Sequence, residues 1–107
     1  MKFNITKLLI VFDEILTPPT DEEQGVYWFR ATRADGLIVT LFFSIYEYYA
    51  GVIVCKNPDI AIASINMKNC SEIRILNEEK KCLEIVHESD QRRCFLTLTN
   101  DSILSYI

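Results

Sequence analysis

Glycine and proline are scarce in this chain, with three of each in 107 residues. That excludes a linker-rich or low-complexity chain, and the ordinary hydrophobic content excludes a disordered one. Histidine occurs once, at His87, so any mechanism that needs an imidazole must use that residue. No stretch approaches the roughly 20 apolar residues of a membrane-spanning helix. The nearest, Leu37 to Val54, is interrupted by Thr40, Ser44, Glu47 and Gly51. A secretory leader is not expected either: Lys2 and Lys7 accompany Leu8-Leu9-Ile10-Val11-Phe12, but Asp13-Glu14 cuts this run well short of the about 7–15 residues that export requires. No membrane partner is expected, and the expected location is cytoplasmic.

A surplus of positive charge is also missing. Eleven Lys and Arg stand against 15 Asp and Glu, for a net charge of -4 and a pI near 4.9. Phosphate backbones need the opposite balance, so nucleic acid is not an expected partner. Arg30 with Arg33, and Arg92 with Arg93, are the local exceptions, best read as solvated strand ends. Excess acid favours a basic protein partner, whose approach it accelerates.

The length suits one domain spanning residues 1–107. Four cysteines, Cys55, Cys70, Cys82 and Cys94, are separated by 14, 11 and 11 residues. None forms the close pair of a structural zinc site. Without an export signal they are expected as reduced, buried thiols. No metal or cofactor is expected.

What the chain does have is a succession of short apolar runs separated by turn residues. Val26 to Arg33 is rich in aromatic and β-branched side chains. Ala34-Asp35-Gly36 follows, and Asp-Gly between two such runs signals a hairpin. From Leu37 to Ile45 the pattern has period two: Val39, Leu41, Phe43 and Ile45 share one face, and Ile38, Thr40, Phe42 and Ser44 the other. Val52–Cys55 and Ile60–Met67 read as strands, as do residues 72–76, 82–87, 94–99 and 103–107. Polar loops at 77–81, 89–92 and 100–102 separate the last four. Loops this short join antiparallel neighbours. The expected fold is mainly β: one antiparallel meander curled into a half-barrel or small barrel. The segment from Asn4 to Leu16 fits two readings. Ile5, Leu8, Leu9, Phe12 and Leu16 form a helical stripe with Asn4 as N-cap, while Leu9–Phe12 alone suits a buried strand.

No constellation here has the marks of catalysis, and the chain is not expected to be an enzyme. Cys82 or Cys94 could approach His87 from neighbouring strands, but nothing in the spacing requires it. The consecutive acids Asp13-Glu14, Asp21-Glu22-Glu23 and Glu78-Glu79 lie in or beside predicted loops, where they are solvated rather than tuned for acid–base work. The aromatic cluster is more informative. Tyr46, Tyr48 and Tyr49 flank Glu47, with Tyr27 and Trp28 on the paired strand. Tyrosine and tryptophan anchor protein interfaces, and they also pack across strands within a sheet. Both readings stand at this point.

The run Phe29 to Glu47, F-R-A-T-R-A-D-G-L-I-V-T-L-F-F-S-I-Y-E, together with the hairpin ladder from Cys70 to Tyr106, resembles the small immunity proteins of bacterial contact-dependent inhibition and polymorphic toxin systems. The resemblance lies in pattern, not in an invariant motif. It implies a cytoplasmic inhibitor that covers the active site of a cognate toxin, typically a basic nuclease. Asp21, Glu22, Glu23 and Glu47 would then supply charge, and Tyr46, Tyr48 and Tyr49 would act as anchors. The alternative is a small β-barrel ligand-binding or structural interaction module, its apolar strand faces lining a cavity.

Overall fold

A computed structural model describes residues 1–89, 92–99 and 103–106. It opens with helix α1 (Ile5–Val11), whose first turn is capped by the Asn4 side chain accepting the Lys7 N–H at 3.0 Å. Leu8, Val11 and Phe12 are buried, while Leu9 and Ile10 are about half exposed. That one-sided burial is why the helix prevails over a strand buried on both faces. The helix ends earlier than the stripe to Leu16 suggested. Glu14–Ile15 instead forms a short strand, β1, paired with β2 (Val26–Thr32).

Two antiparallel sheets follow. The first runs in the order β1, β2, β3 (Ile38–Ser44), β4 (Tyr49–Asn57) and β5 (Ile60–Met67). The second contains β6 (Cys70–Asn77), β7 (Cys82–His87), β8 (Arg93–Thr97) and β9 (Leu104–Tyr106). The expected antiparallel meander and its helix are therefore present, but divided between two sheets that do not close into a barrel. The division falls at Lys68-Asn69, where Asn69 adopts the left-handed conformation (φ 57°) and sends the chain into the second sheet. The open edge of β6 is taken by Lys2, which donates to the Ser71 carbonyl and accepts from the Ile73 N–H, both at 2.9 Å. The expected turn at 100–102 lies outside the described residues, as do Asp90 and Gln91 of the 89–92 loop and Ile107.

One core joins helix and both sheets. Phe29, Val39, Leu41, Phe43 and Val52 from the first sheet meet Ile73, Leu83, Ile85 and Leu96 from the second, with Leu8 and Phe12 closing one side. The period-two face of β3 was legible in advance, and its inward residues Val39, Leu41 and Phe43 are fully buried. The Asp-Gly hairpin also forms: Arg33 N–H donates to Leu37 O at 2.8 Å, and Gly36 takes φ 89°. The Asp35 carboxylate accepts the Leu37 N–H and pairs with Arg33. That backbone bond, ahead of the guanidinium, holds its carboxyl below the usual range.

On the outer face of the first sheet, Trp28 stacks on Phe42 with ring centroids 4.6 Å apart. The Phe42 ring lies against Gly51, where any Cβ would collide with it and with the Asn66 side chain. On the second sheet Glu84 is buried and accepts two bonds from Arg93, at 3.2 and 3.3 Å, with Arg74 at 3.8 Å. A buried carboxylate persists only when paired in this way.

Two outcomes test this packing. Gly51→Ala forces Phe42 off Trp28 and should lower stability by about 1–3 kcal/mol, read from urea unfolding. Burial pushes the Cys70 and Cys94 thiols up to about 11. These two should resist alkylation at pH 8 in the folded protein and react on unfolding. The folded state keeps these protons where the unfolded chain loses them, so their contribution to stability should be lost as pH rises from about 9 to about 11.

Candidate protein-binding surface

Two tight turns meet at one end of the first sheet. The first, between β1 and β2, is closed by a reciprocal pair of backbone bonds between Asp21 and Val26, at 2.8 and 3.0 Å. Within it Gly25 N–H donates to Glu22 O at 3.1 Å, and the Asp21 side chain accepts the Gln24 N–H at 3.3 Å. Glycine is required at 25: φ is +68°, and an added Cβ would sit 2.7 Å from both Ile45 and Tyr46 side-chain carbons. The ring of Tyr46 thus lies over Gly25.

The second turn joins β3 to β4. Tyr48 N–H donates to Ser44 O at 3.0 Å, and the buried Ser44 hydroxyl oxygen accepts the Glu47 N–H at 3.1 Å. Ile45 N–H donates to the Gly25 carbonyl at 2.9 Å, tying the two turns together. The Tyr48 carbonyl in turn accepts the Cys70 N–H at 2.8 Å, which anchors the turn to the start of the second sheet.

Six of the seven expected residues therefore share this end: Asp21, Glu22, Glu23, Tyr46, Glu47 and Tyr48. All six are exposed, with Tyr46 at 63% and Tyr48 at 50%. Tyr49 sits apart from them. It is the first residue of β4, half-buried, with its ring 6.3 Å from Phe42 on the outer sheet face. Of the flanking aromatics, Tyr27 is buried between Phe3, Phe29 and Phe43. The aromatic cluster thus divides: Tyr27 packs in the core, and Tyr46 and Tyr48 face outward.

One feature of the turn has no signal in the sequence. Tyr48 adopts φ 58°, a conformation that a bulky side chain disfavours by roughly 1–2 kcal/mol and that glycine or asparagine normally supplies. A large aromatic ring is held there, half exposed, on the outside of the molecule.

None of the ion pairs among the described residues involves a residue of these two turns. Arg30 pairs with Glu14 at 2.8 Å, Arg33 with Asp35 at 3.0 Å, and Arg74 with Glu72 at 3.2 Å. Arg93 is held by Glu84. Most arginines are thus matched by nearby carboxylates. Among the described residues no ion pair meets Glu22, Glu23 or Glu47.

His87 lies at the rim of β7, its Nδ1 2.6 Å from the Ser89 hydroxyl. The register sets Cys70 opposite it, not Cys82 or Cys94. The Cys70 thiol donates to the Met67 carbonyl at 3.3 Å. Among the described residues no three His, Cys, Asp or Glu side chains converge on a metal position, and no helix is long and apolar enough to cross a membrane.

Burial raises the Tyr27 phenol above its usual range, with smaller contributions from Glu22 and Tyr46. The ultraviolet titration midpoint of Tyr27 should therefore lie above that of an ordinary tyrosine, and loss of that proton favours the unfolded chain. Glu22→Gln should lower that midpoint without abolishing the elevation. An unchanged midpoint would place the acidic turn away from Tyr27.

No protein-family model matches the chain, and no curated protein matches it. Among solved structures, it is similar to one chain of a contact-dependent growth inhibition toxin–immunity protein complex from Klebsiella pneumoniae 342. The TM-score is 0.66 at 17% sequence identity, over 97% of this chain and 90% of that one. The two chains share a fold across nearly their whole lengths.

Proposed function

We propose that this chain is the immunity component of a contact-dependent growth inhibition system, binding and neutralising a cognate toxin in the cytoplasm. The likeness in fold to a chain of a toxin–immunity complex carries this reading. The immunity side is favoured over the toxin side by the surface. The exposed end is acidic and tyrosine-rich, and His87, the chain's single imidazole, is bonded to a serine on its own strand end.

The toxin is a basic nuclease in this proposal. A nuclease holds phosphates with Lys, Arg and His, and the carboxylates of Asp21, Glu22, Glu23 and Glu47 would occupy those positions. Tyr46 and Tyr48 would bury beside them as anchors, with Tyr49 at the margin. Charge speeds the encounter and selects the partner, while the aromatic rings supply most of the residence time. A cavity-lining ligand carrier is disfavoured. The apolar faces of β3 and β4 that would line a cavity pack instead against Phe12, Leu83 and Leu96 in a filled core.

The test is co-expression with the toxin encoded beside the gene. Rescue of growth and a complex on size exclusion are expected. Growth arrest by this chain alone would assign it to the toxin side. Reversing Glu22, Glu23 and Glu47 to Lys should slow association by about tenfold or more at low salt, and less at high salt. Tyr48→Gly should leave stability unchanged or raise it by up to about 1 kcal/mol, because the left-handed backbone suits glycine. The same change should weaken toxin binding by about thirtyfold or more, as loss of an interface anchor does. Full binding by Tyr48→Gly would remove the tyrosine from the interface.

A further inference from the structure

The outer edges of the two sheets differ in how they are protected. β1 is two residues long, and its Glu14 is paired with Arg30. The edge of β6 is covered by Lys2. The described part of β9 has three residues. β5 is the exception: it is eight residues long, ends the first sheet, and has β4 as its only strand neighbour among the described residues.

The sequence of β5 is Ile60-Ala61-Ile62-Ala63-Ser64-Ile65-Asn66-Met67. It contains no charge and no proline, in a chain that is nearly a quarter charged. Sheet edges are normally guarded by lysine, proline or an inward charge, because their unpaired N–H and C=O groups accept another strand. The guards present here are two register shifts against β4, one skipping Ile62 on β5 and one skipping Lys56 on β4. Val54 pairs with Ala63 and Cys55 with Ala61, so Ile62 has no partner of its own on β4. Residues 60–64 are all exposed, with Ile60 at 50% and Ile62 at 54%.

We infer that β5 pairs antiparallel with β5 of a second copy of this chain, forming a weak two-fold dimer. The flanking charges select this occupant. Asp59 immediately precedes the strand and Lys68 immediately follows it, and both are exposed. End-to-end antiparallel overlap brings Asp59 of each copy beside Lys68 of the other, so one arrangement satisfies both ends. The same arrangement points the two acidic ends in opposite directions. The Met67 end of β5 adjoins the Tyr48 turn through the Cys70–Tyr48 bond, and in the antiparallel pair those ends lie far apart. Like-charge repulsion between the acidic turns is thereby minimised, and both remain open to a partner. A single strand pair buries less than the about 1,200–2,000 Å² of a standard stable interface, so the dimer is weak.

Sedimentation velocity across concentrations from about 10 µM to about 1 mM tests the inference, since such small contacts give Kd values on the order of 100 µM. The mass should rise from the 12.4 kDa monomer toward twice that value. Ser64→Pro, which introduces proline on the open edge, should hold the protein monomeric, with circular dichroism confirming the fold. Asp59→Lys and Lys68→Asp should each weaken the dimer by about fivefold, since each turns two attractive contacts repulsive. The double exchange should restore it. These two positions are surface residues, so their readout survives even if Ser64→Pro fails to fold. A monomer at every concentration overturns the inference, and so does a dimer indifferent to the charge exchanges. Should the chain stay monomeric while Ser64→Pro abolishes capture of a toxin, the edge serves a foreign strand and the self-pairing is wrong.

Discussion

The inner face of the first sheet consists almost wholly of Phe29, Ala31, Val39, Leu41, Phe43, Ala50, Val52 and Val54, and it cannot stand in water. Each of those side chains is at most 4% exposed in the fold. Full burial of a Phe, Leu or Val is favourable by about 1.5–3 kcal/mol relative to exposure, so covering this face dominates everything else. The second sheet and α1 exist to cover it. Their own inward residues, Leu8, Phe12, Ile73, Leu83, Ile85 and Leu96, are the complement. Shifting β3 by one residue would put Phe42 and Thr40 where Phe43 and Leu41 now sit, so the register is fixed by the same demand.

How much of this was legible follows from where period-two patterning is strong. β2, β3 and β7 were placed within about a residue because their apolar residues alternate or run continuously between turn signals. β4 begins at Tyr49, three residues before Val52, because Tyr49-Ala50-Gly51 lacks the β-branched residues that mark a strand. Backbone pairing to β3 recruits it regardless: Ser44 meets Tyr49, and Phe42 meets Gly51. The division into two sheets had no signal either. Met67-Lys68-Asn69-Cys70 contains neither glycine nor proline, and only the left-handed conformation of Asn69 makes the break.

The acidic end was half legible. Runs of Asp, Glu and Tyr can be read from a sequence, but their meeting requires Gly25 and Ile45 to touch. That contact depends on the twist and length of β2 and β3, not on either turn alone. Tyr49 illustrates the limit of proximity in sequence: one residue after Tyr48, it belongs to a strand, and its ring turns onto the sheet beside Phe42. Tyr27 illustrates another, because its strand position points it inward, where its ring meets three phenylalanines.

The two turns are held chiefly by backbone bonds, with the Asp21 and Ser44 side chains each accepting one further N–H. Among the described residues no ion pair engages the carboxylates of Glu22, Glu23 and Glu47, and the rings of Tyr46 and Tyr48 stay largely exposed, that of Tyr46 resting over Gly25. A surface built in this way has little backbone entropy left to lose on association, which is the main cost that flexible loops incur. The left-handed Tyr48 makes the same point energetically. A turn shaped for stability alone would carry glycine there, yet an aromatic ring is kept outward at the expense of backbone strain. The strain is tolerated because the aromatic core beneath supplies far more stability than one unfavourable φ removes. The exposed end can therefore be shaped for contact while the buried face holds the fold.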